Sequence, residues 1–280
     1  MASVTRFAQD EPALFKAAQD FVALFADCPD PVIAVARQAK TPNAQIAWTL
    51  LGTALFQDRD CSQMKDLLAA FYRAFPEEKL WTLPVPAAAA INGIVEEVFN
   101  SDNWSMFEHV AGIFWSVGLF ARRHPDLVSW TAERSPEEMW RDMGEIYFMG
   151  KSKPRPKASA AIYRILAPAP LGLGIRCRDS RRMPPLPLTM GARRYLAILG
   201  PAKDNGFADL SAEEKQKLAN ACFKALSPKR PYAAAHSMQF FLEDGADGFI
   251  CREWTERCAK CPFYEYCNYA ENQGGRKYEN

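Results

Sequence analysis

Four cysteines stand within seventeen positions of one another near the end of the chain: Cys251, Cys258, Cys261 and Cys267, with gaps of six, two and five residues. Thiolates at that density can surround one metal centre and tether the segment that carries them. A single zinc held by four cysteines usually draws on two separated Cys-x-x-Cys knuckles, and only Cys258 and Cys261 form one here. The wider arms suit a larger object, and iron–sulfur cubanes are held by four thiolates at irregular spacing. Zinc stays open as the alternative, because a four-cysteine set suits it too. Cys28, Cys61, Cys177 and Cys222 are scattered and form no second constellation.

Charge is the next feature with chemical content. The chain as a whole carries +1, but residues 1–150 hold 12 Lys/Arg against 20 Asp/Glu, residues 151–210 hold 12 against 3, and residues 211–280 hold 10 of each. Clustered cations are what a polyanion contact requires, and a solvated basic loop is the bland alternative. Within the cysteine segment, Arg252 and Arg257 fall between the first two thiols and Lys260 between the middle two. A loop whose entropy is already removed by its ligands can hold such cations as a rigid phosphate clamp. Trp254, Phe263, Tyr264 and Tyr266 are placed to shield a metal centre from water.

The elements that must position these residues read as helices. Apolar residues recur at three- and four-residue steps over 12–25 and 46–56, and a capped run spans 60–75 and ends before Pro76. Further helices are expected over 88–99, 106–122, 136–147, 157–166, 191–199, 212–226 and 232–243. Strand patterns are scarce, no internal repeat occurs, and residues 272–280 read as a frayed tail. The expected fold class is all-α. No basic-then-apolar leader is visible at 1–10, and the longest apolar stretch, 110–121, is too short to cross a bilayer. A cytoplasmic protein with reduced thiols and no membrane partner is the expectation.

The run Cys251-Arg-Glu-Trp-Thr-Glu-Arg-Cys258-Ala-Lys-Cys261-Pro-Phe-Tyr-Glu-Tyr-Cys267 resembles the cluster loop of the helix-hairpin-helix DNA glycosylases of the endonuclease III and MutY type. All four ligand positions match without insertion. The resemblance implies a 4Fe–4S cluster on Cys251, Cys258, Cys261 and Cys267, double-stranded DNA as partner, a monomer, and base excision repair as the setting. It extends more weakly to Leu50–Asp58, similar to a family helix ending in a Gln-bearing turn, here Gln57, that probes the duplex. Tyr147–Leu166 is similar to a "Gly-Phe/Tyr, Lys-Ala, apolar helix" stretch, and Leu188–Gly200 to the segment that re-enters the cluster domain. The implied architecture is a two-domain helical one with a DNA groove between a helical barrel domain and an iron–sulfur cluster domain. Its expected boundaries are 1–44 for an N-terminal helix packing on the cluster domain, 45–184 for the barrel with a basic hairpin-like segment, 185–272 for the cluster domain and 273–280 for the tail. DNA contacts are expected at Gln57, Lys151, Lys153, Arg155, Lys157, Gly172, Gly174, Arg176, Arg252 and Arg257.

The catalytic part of the family pattern does not carry over. The family hairpin reads Leu-Pro-Gly-Val-Gly-x-Lys-Thr-Ala, and its amides bind phosphate at a helix N-terminus. The nearest match is Pro170-Leu-Gly-Leu-Gly-Ile-Arg-Cys177, in which Gly172 and Gly174 supply the turn and Arg176 stands where the lysine would be. Arginine does not deprotonate to an amine nucleophile. The family aspartate falls on Leu188 or Thr189, and the 21 residues between Leu166 and Leu188 are too few for helix, hairpin and second helix. An ordinary loop is an equal reading of 170–177. Asp179 is the candidate replacement carboxylate, able to stabilise an oxocarbenium charge; the simpler reading pairs it with Arg178 or Arg182. His109, His124 and His236 are isolated and read as packing or surface residues. Two functions follow: a divergent DNA N-glycosylase, or a non-catalytic DNA lesion-binding protein with a structural cluster. A metal-stapled scaffold for an acidic protein partner is a third, minor reading.

Overall fold

The computed structural model describes residues 2–57, 59–75, 88–100, 104–150, 155–202, 206–241 and 261–267. Among them every regular element is helical and no strand occurs, as the periodicity requires. In chain order the helices are α1 (Ala2–Asp10), α2 (Pro12–Phe25), α3 (Pro31–Ala36), α4 (Pro42–Leu55), α5 (Cys61–Ala74), α6 (Ala88–Phe99), α7 (Val110–Arg123), α8 (Leu127–Ala132), α9 (Pro136–Asp142), α10 (Pro156–Leu166), α11 (Met190–Ile198), α12 (Ala212–Leu226) and α13 (Pro231–Ser237). Proline opens α2, α3, α4, α9, α10 and α13, where its fixed φ suits the first turn and no amide is lost. Capping boxes start α5 (Asp60/Gln63), α9 (Ser135/Glu138) and α12 (Ser211/Glu214).

The chain divides into two compact units. One joins Met1–Cys28 to Pro185–Asn280, and the other is Pro29–Pro184. The boundary expected at 44 therefore falls earlier. The cause is α3, whose Val32 and Val35 are buried with α4 in the core of the second unit. A Cβ on Gly52 of α4 would lie 2.7 Å from Val32 Cγ1, so the glycine lets the two helices approach this closely.

Within unit 29–184, α4 is the axis. Every residue from Ile46 to Leu55 is buried, and α3, α7, α8 and α10 pack on it. Its two threonines hide their hydroxyls by donating back along the helix, Thr49 to Gln45 O at 2.8 Å and Thr53 to Thr49 O at 2.7 Å. One buried ion pair crosses this core. Asp30 caps α3 through Oδ1, which accepts from the Val32 and Ile33 amides, while its Oδ2 accepts from Arg164 of α10 at 2.9 Å. The side chains are 1% and 5% exposed, and Arg164 also donates to Thr53 Oγ1 at 3.2 Å and stacks over Phe56.

Unit 1–28/185–280 draws its core from both ends of the chain. Phe21 and Phe25 of α2 meet Phe240, Phe241 and Phe263, with Tyr195 of α11 packed on the last two. His236 of α13 is buried and satisfied. Its Nε2 donates to Cys28 O at 3.0 Å, and its Nδ1 lies 3.3 Å from Gln239 Nε2. Packing is its role, as expected for an isolated histidine.

Candidate metal centre and nucleic-acid interface

Cys261 and Cys267 bracket a short turned segment. The Tyr264 amide donates to Cys261 O at 3.0 Å, and the Cys267 amide to Tyr264 O at 3.2 Å, around a 3-10 turn over Tyr264–Tyr266. Both cysteine residues are half-buried. Between them Phe263 is fully buried, its ring 5.4 Å from Phe21, 5.9 Å from Tyr195 and 5.7 Å from Phe241. The segment is thus nailed to the aromatic core by one side chain. Cys251, Cys258, Arg252 and Arg257 lie outside the described residues, and among those described no group of three metal-ligating side chains occurs.

The donors fit a sulfur-rich centre. Two thiols are half-buried on a fixed turn, and the core behind them contains an unsatisfied donor: the Tyr195 hydroxyl is fully buried and has no hydrogen-bond partner. Burial pushes its pKa well up, with Cys222 and Glu11 adding in the same direction, so it stays a protonated donor.

The hairpin-like segment is a helix cap. In residues 172–175 successive amides are all committed: Gly172 to Pro168 O, Leu173 to Arg164 O at 2.8 Å, Gly174 to Ala167 O at 2.9 Å and Ile175 to Ile165 O at 3.0 Å. They satisfy the orphan carbonyls at the end of α10, with Gly174 at φ 73 making the left-handed turn. A Cβ on Gly172 would sit 2.3 Å from Ala167 O, and its own carbonyl accepts from Arg37. The phosphate-cradling role expected of Gly172 and Gly174 is therefore corrected: no amide of this turn points outward to an anion. The ordinary-loop reading accounts for the segment.

Asp179 is held by neither Arg178 nor Arg182 but by Arg181, whose backbone amide, Nε and Nη2 all donate to its carboxylate at 2.9–3.2 Å. Those bonds, the side-chain one first, keep the carboxyl below its ordinary range. Arg178 pairs instead with Glu138, at 2.6 Å. Glu138 is drawn down to about 2, chiefly by the Ser135 amide and hydroxyl of its capping box and then by Arg178. A depressed carboxyl contributes stability that is present above its unfolded value of 4.5 and lost as pH falls through about 2. An NMR titration should find the Glu138 midpoint near 2. Ser135→Ala, which removes the hydroxyl but keeps the amide, and Arg178→Ala should each raise it without restoring 4.5, because the amide bond persists in both; a return to 4.5 in Arg178→Ala would reassign the cause to the ion pair.

Of the expected DNA contacts, Lys157 and Arg155 are engaged inside the unit. Lys157 Nζ donates to Ala54 O at 2.7 Å and lies 5.3 Å above the Phe148 ring, and Arg155 stacks on Trp140 and donates to its carbonyl at 3.1 Å. Gln57 is half-buried just beyond the end of α4, its carbonyl accepting from Trp104 Nε1 at 2.7 Å. Arg176 is exposed. Lys151 and Lys153 fall outside the described residues. His109, one of the isolated histidines, instead belongs to an aromatic group with Tyr147 and Phe148.

No protein-family model, no curated protein and no solved structure matches the chain. No described helix is long and apolar enough to cross a membrane.

Proposed function

We propose that this chain is a DNA-binding protein of the base-excision-repair kind, holding a 4Fe–4S cluster on Cys251, Cys258, Cys261 and Cys267, with an architecture like that of the cluster-bearing DNA glycosylases. The observation that carries the reading is the Cys261–Cys267 turn pinned by Phe263 into a core built from both ends of the chain. A cluster unit so assembled is what the resemblance of the cysteine segment implies. When bound, the cluster supplies a rigid knot; the chain's own Arg252, Arg257 and Arg176 supply cations for a phosphate backbone.

Within this reading the chain is either a divergent N-glycosylase or a lesion-binding protein that does not cut. The committed amides of residues 172–175, the arginine at 176 and the capture of Asp179 by Arg181 favour the second. The test is anaerobic purification followed by iron and zinc analysis, a salt titration of duplex binding, and an assay for abasic product on a lesion panel. About four irons per chain and salt-sensitive binding are expected, with no base release. Base release that disappears in Asp179→Asn while binding persists would reinstate the glycosylase. A colourless, iron-free protein indifferent to DNA at low salt would end both forms.

A further inference from the structure

Beyond the cap of α10 the chain crosses the core of unit 29–184 as a ribbon with two faces. Exposure alternates residue by residue over 175–180: Ile175, Cys177 and Asp179 are half-buried, while Arg176, Arg178 and Ser180 are exposed. A two-residue repeat is the pattern of an extended chain with one face in and one face out. Leu173, Ile175 and Cys177 pack inward on the apolar core of the unit, and Met183 rejoins it farther along. The ribbon is fixed by its backbone. The Leu173, Gly174 and Ile175 amides close the end of α10, and the Arg178 amide donates to Arg134 O at 3.1 Å, just after α8. The outward positions are therefore preset by the fold.

What the outward face carries is arginine. Arg176, Arg178, Arg181 and Arg182 are all exposed, Asp179 is the one acid between them, and lysine is absent from the run. Among the described residues, Arg176 and Arg182 have no carboxylate within ion-pair reach; Arg182 acts on Asp179 through space only. The other two sit in open pairs. Arg178 meets Glu138 of α9 at 2.6 Å with its side chain 58% exposed, and Arg181 holds Asp179 with its side chain 89% exposed. Pairs this open contribute little stability and exchange readily for another anion. Asp142 of α9 is taken by Arg134. Glu133 and Glu137 are exposed on the elements beside the ribbon, so its pull is local and rests on Arg176 and Arg182 rather than on net charge.

We infer that this arginine face binds the phosphate backbone of DNA through Arg176 and Arg182, and that Asp179 competes with the backbone for Arg181. A guanidinium takes phosphate oxygens with the same planar fork that it offers a carboxylate. Arg181 shows the fork in use, with Nε and Nη2 both donating to Asp179. Outward side chains of an extended chain recur every ~6.6–6.8 Å, and a nucleic-acid strand carries one charge per ~3.4 Å of axis. Separate arginines of the row therefore meet separate phosphates of one strand. An acidic protein surface offers no charge at so regular an interval. The face rests on the proposed DNA-binding function and deepens it, by naming the surface of unit 29–184 that meets the backbone now that the amides of residues 172–175 are known to be spent.

The test titrates the whole protein, purified with its metal, with a short duplex of arbitrary sequence at several salt concentrations. Arg176→Gln and Arg182→Gln should each weaken binding and reduce the steepness of log affinity against log salt by about 0.9, and the double variant by about twice that. Arg176→Lys keeps the charge and should keep the slope. Asp179→Asn frees Arg181 and should tighten binding, with a slope steeper by about 0.9. Lys224→Gln removes an exposed cation of α12 in the other unit and should leave the slope unchanged. The substituted cations are open to solvent, so an unchanged thermal melt checks that those variants fold. Duplex binding whose slope is untouched in the double variant would overturn the face and leave the general function standing. An equal loss in Lys224→Gln would make the effect one of net charge and overturn it as well. If polyglutamate binds as tightly as the duplex, with the same loss in the double variant, the face fits an acidic protein and the DNA assignment falls. Failure of wild type to bind any duplex overturns face and function together, and an unmoved slope in Asp179→Asn overturns the competition alone.

Discussion

Replacing Arg164 with methionine should destabilise unit 29–184 by ~3–5 kcal/mol, the largest effect expected of any single change in that unit. The substitution removes both guanidinium contacts at 2.9 Å from an Asp30 carboxylate that is almost wholly buried and also caps α3. An uncompensated charge in such a site costs far more than the intact pair contributes. Asp30→Asn alone should cost less, since an amide still caps α3. The double variant should regain most of the loss, because no buried charge remains. Urea unfolding of the four proteins measures this as a double-mutant cycle. A cost below about 1 kcal/mol for Arg164→Met would mean that Asp30 is neutral or otherwise paired, and the cycle would then show no coupling.

The second large effect is expected at the proposed metal centre. Cys261→Ser and Cys267→Ser should each abolish retention of iron and with it the visible absorption, whereas Cys61→Ser and Cys177→Ser should retain both. Phe263→Ala leaves all four thiols in place but removes the anchor between two of them, at ~3–5 kcal/mol of lost packing. It should therefore release the cluster faster on exposure to a chelator while binding it at full stoichiometry when reconstituted. If Cys61→Ser loses iron as completely as Cys267→Ser, the tail is not the site. One zinc per chain and no colour in wild type would replace the cubane with the Cys₄ alternative.

The helices that periodicity marks are present in the structure, with ends moved by a few residues where proline or a cap decides the start. Helix α4 begins at Pro42 rather than 46, because Thr41 caps it and proline occupies the first turn. Three helices carried too little pattern to be noticed. Helix α3 is a six-residue apolar run rich in valine and isoleucine, with no polar face to set a period, although Asp30-Pro31 announced its start. Helix α8 is equally short, and α1 is weakly apolar.

The candidate site was less readable, for a physical reason. Residue type and spacing disclose donors such as the four thiols, but they do not disclose which donors the fold spends on itself. Lys157, Arg155 and the amides of Gly172 and Gly174 were read as contacts for phosphate, and each is taken up by a carbonyl or ring nearby. Exposure is equally hidden at Trp115. Within an apolar helix a tryptophan looks like core, and only the three-dimensional arrangement reveals it as open.

The discontinuous make-up of one unit has a consequence for biogenesis. Helices α1 and α2 are made before much of their hydrophobic complement, and Phe21 and Phe25 acquire Phe240, Phe241 and Phe263 only after residue 184 has been synthesised. Unit 29–184, contiguous in the chain, can mature in the meantime. A nascent chain stalled before residue 240 would leave Phe21 and Phe25 without these rings, an apolar face for chaperones to cover.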